Sequence, residues 1–185
     1  RLAEGDIMEE AKPFILSGWQ TFIVGCIFGW MHRDDEDGAL VRRFRNGYVE
    51  TGKGSGKTPL GAGIGLFGLA ADGEAAPEVY SAAPTRAQSK IPWTDAKRMV
   101  EKSPGLRSRL ELSAFAIAAP RRSGTFQYLS SEANNLHGPR PHIVLIEEEH
   151  AHPGPDVIDA MRLGTKGRRN ALIFRITNSG HDRHS

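Results

Sequence analysis

Two segments constrain this chain more than any others: the loop Thr51-Gly-Lys-Gly-Ser-Gly-Lys-Thr58 and, well downstream, the run Ile143-Val-Leu-Ile-Glu-Glu-Glu-His150. A glycine-rich loop ending in Gly-Lys-Thr works as an anion cradle only between a strand and a helix. An apolar run that ends in acids suits a strand buried on both faces of a parallel sheet, with the acids at its carboxyl end where such sheets place ligands. In this order the two segments call for alternating strands and helices around a mainly parallel sheet.

The chemistry of the loop follows from its residue types. Glycines 52, 54 and 56 are expected to take positive φ and turn their N–H groups inward, so that Lys53, Gly54, Ser55 and Gly56 surround phosphate oxygens with no Cβ in the way. Lys57 then supplies a point charge for β and γ phosphates and Thr58 a hydroxyl for Mg2+, while the following helix adds its N-terminal dipole. One departure is visible, since the usual first glycine of the pattern is Thr51. A flexible surface turn is the bland alternative, because Gly, Ser, Lys and Thr are common loop residues.

Context favours the cradle. Asn46 to Glu50 reads as a short strand before it, and Leu60, Ile64, Phe67 and Leu69 as a helix after it, running through Ala71. Glycines 61, 63, 65 and 68 weaken that helix in isolation but let it approach a sheet closely. At the second segment, Glu147 is positioned to hold Mg2+ and Glu148 to orient or deprotonate an attacking water. Aspartate is usual where Glu147 stands. The extra methylene displaces the carboxylate from near-ideal octahedral geometry and predicts weakened metal and ATP binding. The alternative is a solvated acidic run at a strand end.

The rest of the chain bounds the problem. With 185 residues, 39% of them hydrophobic, one substantial core and a single domain over 1–185 are expected. A net charge of +2 does not announce a nucleic-acid binder; Arg42-Arg-Phe-Arg45, Arg121-Arg122 and Lys166-Gly-Arg-Arg169 are local basic clusters of the kind common on surfaces. Cys26 is the only cysteine, which excludes an intrachain disulfide and fits a reducing compartment. Phe14 to Trp30 is apolar but interrupted by Ser17, Gln20 and glycines, and reads as an amphipathic or buried helix starting near Pro13 rather than a membrane span. The first residue, Arg1, points to a trimmed chain or a fragment.

Further elements complete an α/β alternation. Glu78 to Ala83 is a strand candidate, and Thr85 caps a helix to about Lys102 that Pro92 is expected to kink or divide. Phe115 to Ala118 and Thr125 to Leu129 read as strands around a turn at 121–124, Pro155 to Leu163 as a short helix, and Ala171 to Thr177 as a buried strand. Asp34-Asp-Glu-Asp-Gly38 reads as a solvated loop, because four successive acids do not match the alternating ligands of a calcium loop. A zinc site from His150, His152 and nearby glutamates is disfavoured by undistinctive spacing.

Five segments together resemble the ATPase domain of the large terminase subunit of tailed bacteriophages, in particular the HK97-like branch. They are Pro13 to Gln20 with Phe28-Gly-Trp30, Lys53 to Thr58, Tyr80-Ser-Ala-Ala-Pro84 with Gln88, His137-Gly138 leading into Val144 to His150, and Ile176 to His181. The resemblance implies an ASCE-type P-loop NTPase fold with a mainly parallel central sheet flanked by helices. It assigns adenine reading to Gln20, an additional basic residue of the phosphate loop to Lys53, and γ-phosphate sensing to a coupling segment at Thr177-Asn-Ser-Gly180. Asn178 and Ser179 depart from the threonine and alanine usual there. It also implies an arginine acting in trans, for which Arg140 is the candidate and His137, Arg121 and Arg122 are competitors.

The implied function is Mg2+-dependent ATP hydrolysis that moves double-stranded DNA into a procapsid. The implied partners are the portal protein, the small terminase subunit and further copies in a ring on the portal, with no membrane, in the cytoplasm of the infected bacterial host. Relatives also carry a C-terminal nuclease domain; the chain ends at Ser185, so no DNA cleavage is expected of it. Two rival readings share the same motifs: another P-loop motor of helicase type, and a DNA- or portal-binding module whose nucleotide site has decayed.

Overall fold

The computed structural model describes residues 13–129, 138–152 and 154–178. Within these, alternating apolar segments build a seven-stranded sheet with helices against both faces. The strands are β3 (Asn46–Glu50), β4 (Glu78–Ala82), β5 (Glu111–Leu112), β6 (Ala116–Ala119), β7 (Gly124–Tyr128), β8 (Ile143–Glu147) and β9 (Leu172–Thr177), in the order β3-β9-β8-β4-β7-β6-β5. The five strands from β3 to β7 in that order run parallel, and β6 and β5 add an antiparallel edge. The expected α/β sheet is therefore present. A separate hairpin pairs β1 (Met31–Arg33) with β2 (Leu40–Arg42), and the acidic stretch from Asp34 to Gly38 lies in the connection between them. Neither this hairpin nor β5 was legible in the sequence.

Period-two alternation assigns the two faces of the sheet. Ile143 and Leu145 of β8, with Leu172, Phe174 and Ile176 of β9, join a large apolar cluster with α2 (Lys57–Ala70) and α3 (Arg86–Lys102). Val144, Ile146 and Ile173 point the other way, against Ile158 and Met161 of α5 (Asp156–Gly164). All five residues of β8 are buried, as a strand covered on both faces requires. The small residues of α2 allow the close approach: a Cβ on Gly65 would stand 2.8 Å from the Phe126 ring, and one on Gly68 would collide with Ile143.

Two helices differ from expectation. α1 spans Gly18–Gly29 and does not begin near Pro13; Ser17 is extended (φ −69°, ψ 167°) and its N–H donates to Gln20 Oε1 at 2.9 Å, which sets the start one turn later. Only Gln20 and Ile27 are buried in α1, while Trp19, Ile23, Val24 and Phe28 pack partly against the core. α3 runs unbroken through Pro92. Pro92 itself is buried, and Trp93 beside it donates its indole N–H to the Phe126 carbonyl at 3.1 Å, so tertiary anchoring offsets the local loss of a helix hydrogen bond. Thr85 does cap α3, accepting from the Gln88 N–H at 3.2 Å; α3 ends at Lys102 and is followed by the short α4 (Pro104–Arg107). No helix among the described residues is long and apolar enough to cross a membrane.

Candidate functional site

Strand register brings the phosphate-type loop and the acidic strand together. β9 lies between β3 and β8, with Glu50 opposite Thr177 and Glu147 opposite Ile176, so the carboxyl ends of three strands meet at one edge. Thr51 continues this pairing: its N–H donates to the Thr177 carbonyl at 3.1 Å. The residue is outside the left-handed region and tolerates a Cβ, which explains why glycine is dispensable there. Gly54 (φ 76°) and Gly56 (φ 82°) do adopt left-handed backbone, whereas Gly52, directly after the last residue bonded to β9, does not, which corrects the expectation for it.

Gly56 forms the N-cap of α2, and the loop is tied to α1 at this point. Gln20 is only 4% exposed, and its Nε2 donates to the Gly56 carbonyl at 3.2 Å while its Oε1 holds the Ser17 N–H. Gln20 is therefore a buried brace of the loop and not a helix-surface glutamine. Lys53 and Gly54 are exposed at the loop tip, Thr58 is half-buried in the first turn of α2, and the Ser55 hydroxyl is buried without a hydrogen-bond partner among the described residues. Left-handed glycines, a helix N-terminus, an orphaned hydroxyl and a buried ammonium fit the phosphate groups of a nucleotide.

Lys57 is 9% exposed and reaches across to the acids. Its Nζ lies 2.7 Å from Glu148 Oε1 and also donates to Asn178 Oδ1. Glu148 leaves β8 in left-handed backbone (φ 49°, ψ 51°), a conformation rare for a residue with a long side chain and held here by its N–H on the Ile176 carbonyl at 2.9 Å. Burial pushes the Glu148 carboxyl up, but the hydrogen bond and charge of Lys57, the Asn178 N–H and the nearby His150 together hold it below the ordinary carboxylate value.

Glu147 behaves in the opposite way. It is 6% exposed, its Oε1 is buried without a hydrogen bond among the described residues, and burial pushes its pKa up to about 7, with Lys57 opposing and Glu148 and Asp95 reinforcing the shift. An orphaned buried carboxylate oxygen beside a phosphate cradle fits a bound cation, and Thr58 and Glu147 are the residues that can hold Mg2+.

The two histidines that follow the acids have partners. His150 Nδ1 is 2.6 Å from Thr177 Oγ1 and 3.6 Å from Glu148 Oε2, linking the acids to the end of β9. His152 Nε2 is 3.3 Å from the Glu147 carbonyl, and burial pushes this imidazole down. Thr177 and Asn178 thus face the site, while Ser179 and Gly180 lie outside the described residues.

Arg140 is not brought into this constellation. It precedes β8, at the end opposite Glu147, and is exposed; its backbone N–H donates to Glu78 Oε2 at 2.9 Å. Arg121 and Arg122 likewise precede β7, and His137 lies outside the described residues. Asn178, visible in sequence only as a departure from a familiar pattern, proves to be a site residue.

A family model described as the terminase large subunit ATPase domain matches residues 18–185. Among solved structures, the large terminase of bacteriophage HK97 superposes with a TM-score of 0.75 at 23% identity, over 90% of this chain and 34% of that one. The large terminase ATPase domain of Thermus phage P74-26 gives 0.66 at 20% identity, over 98% of this chain and 72% of that one. The large terminase of the thermophilic bacteriophage D6E in complex with ADP gives 0.57 at 13% identity, over 72% of this chain and 33% of that one. The chain thus spans about a third of the HK97 protein. No curated protein matches it in sequence.

Proposed function

Because this chain belongs to the family of terminase large subunit ATPase domains, we propose that it binds ATP at residues 53–58 and hydrolyses it to drive double-stranded DNA into a procapsid. One observation carries this reading: the 2.7 Å contact between Lys57 and Glu148 joins two distant motifs into a single site with the charges that phosphoryl transfer needs. Lys57, the loop amides of Lys53, Gly54, Ser55 and Gly56, and the dipole of α2 balance the phosphate charge. Thr58 and Glu147 would hold Mg2+, which would supply neutralisation of phosphate charge. Glu148 orients a water for in-line attack. Gln20 retains one amide N–H and a free lone pair for an adenine edge. Thr177, tied to His150, reports on the γ-phosphate end.

The arginine that meets charge on the transferred phosphoryl group comes from a neighbouring copy in a ring, and Arg140, exposed and remote from its own site, is the candidate. Arg140→Ala is expected to lower turnover of the assembled motor by at least ~10-fold while leaving ADP affinity unchanged; unchanged turnover moves the role to another arginine. The partners in this reading are DNA, the portal of the procapsid, the small terminase subunit and further copies of the chain, in the cytoplasm of the infected bacterium.

Steady-state ATP hydrolysis with and without duplex DNA tests the proposal. Stimulation by DNA that disappears in Lys57→Ala is expected, and equal rates in the variant and the parent would refute it. A reading of impaired turnover has one observation in its favour, the buried and orphaned Glu147. Glu147→Asp is then expected to sharpen the Mg2+ dependence of hydrolysis; an unchanged dependence removes that reading.

A further inference from the structure

Lys57 and Glu148 are assigned to different ends of the reaction, yet they grip each other, and Asn178 completes the grip. Asn178 is the first residue beyond β9, and its side-chain amide uses both of its halves: Oδ1 accepts from Lys57 Nζ, and Nδ2 donates to Glu148 Oε1 at 2.8 Å. Its backbone N–H faces Glu148 Oε2 at a longer 3.4 Å. An amide can serve an ammonium and a carboxylate at once because it carries an acceptor and donors on one planar group. A threonine hydroxyl would have to serve both charges through one oxygen, whereas the amide uses two separate atoms, and aspartate would repel Glu148.

We propose that Asn178 is a positioning residue that clamps Lys57 to Glu148 and competes with nucleotide phosphates for Lys57, so that an incoming nucleotide must displace this amide from Lys57. The inference rests on the nucleotide-site reading above. Contacts made only in the free state oppose binding by their own free energy, since a ligand gains only its differential affinity for the two states. After Lys57 turns to the phosphates, Nδ2 of the same amide remains available to orient Glu148. Asn178 thus weakens binding and supports turnover, two effects that a merely structural residue would not separate.

Calorimetric titration of the intact chain with ADP and Mg2+, beside ATP turnover, tests the clamp. Asn178→Ala is expected to bind ADP about three- to tenfold more tightly, the scale of losing one hydrogen bond of ordinary net strength, while kcat falls. Asn178→Asp is expected to bind ADP more weakly than the parent, because its carboxylate strengthens the hold on Lys57 and repels phosphate. Opposite signs at one position cannot arise from general unfolding. Affinity in Asn178→Ala equal to or weaker than that of the parent overturns the clamp alone, as does tighter binding by Asn178→Asp. No saturable ADP binding by the parent chain overturns the nucleotide site itself and the clamp with it.

Discussion

Glu147 is a carboxyl buried against α2, where a Cβ on Gly61 would stand 3.7 Å from its Oε1, and that oxygen has no hydrogen bond among the described residues. Its folded pKa of about 7 lies above the ordinary value of 4.5. Below about pH 4.5 the folded and unfolded chains both carry the proton, and stability is lost progressively as pH rises from there toward about 7, where the folded group also ionises. The loss is on the order of 3 kcal/mol. Thermal denaturation without nucleotide across this pH range is therefore expected to fall less steeply for Glu147→Gln than for the parent, and identical slopes would contradict the assignment. The same residue illustrates a division of labour. Adjacent carboxyls on one strand end are driven apart in proton affinity, because Glu148 has Lys57 and Asn178 as donors and Glu147 has none at its buried oxygen.

At the scale of elements, α2 combines two functions through its glycines. Its N-terminus is capped by Gly56 of the glycine-rich loop, and its body lies close on the sheet because Gly65 and Gly68 leave room for Phe126 and Ile143. Gly65→Ala adds a methyl 2.8 Å from an aromatic ring in the core and forces either the helix or Phe126 to move. A loss of about 1–3 kcal/mol is expected from overpacking, despite the better helix propensity of alanine, and urea unfolding measures it; a gain in stability would show that the helix can shift freely. Since the shift also displaces Lys57 and Thr58, weakened nucleotide binding is expected to accompany the instability. α3 shows how local rules yield to packing. Pro92 is disfavoured inside a helix, yet its burial and the Trp93 anchor keep α3 continuous.

For the whole molecule, charge is organised at both ends of the sheet. Opposite the phosphate loop, Arg42 (3% exposed) pairs with Asp72 at 2.6 Å, and Asp72 also meets the fully buried His142 at 2.7 Å. The network ties hairpin strand β2 to the segment after α2 and to the start of β8, and Arg42 additionally donates to the Asn170 carbonyl before β9. Asp72→Ala leaves a buried guanidinium without its counter-charge, and a loss of about 3–5 kcal/mol in chemical denaturation is expected. A change below about 1 kcal/mol would mean that water reaches Arg42 readily.

The division between sequence and structure follows the range of the interactions. Residue chemistry and short-range periodicity were sufficient for the glycine-rich loop between a strand and a helix, the buried strand ending at Glu147, the Thr85 cap and the alternation of strands and helices, because each depends on neighbours within a few positions. The start of α1 was not legible, since it turns on how Ser17 and Gln20 share a hydrogen bond, and neither was the continuity of α3, which packing decides. The grip of Lys57 on Glu148 and Asn178 spans 91 and 121 residues of chain. It exists only because β9 enters the sheet between β3 and β8, and strand order is set by the summed burial of whole faces rather than by any residue's own preference. Local residue types therefore set which polar groups the chain can offer, whereas the order of the strands sets which of those groups touch, because register depends on the burial of whole faces.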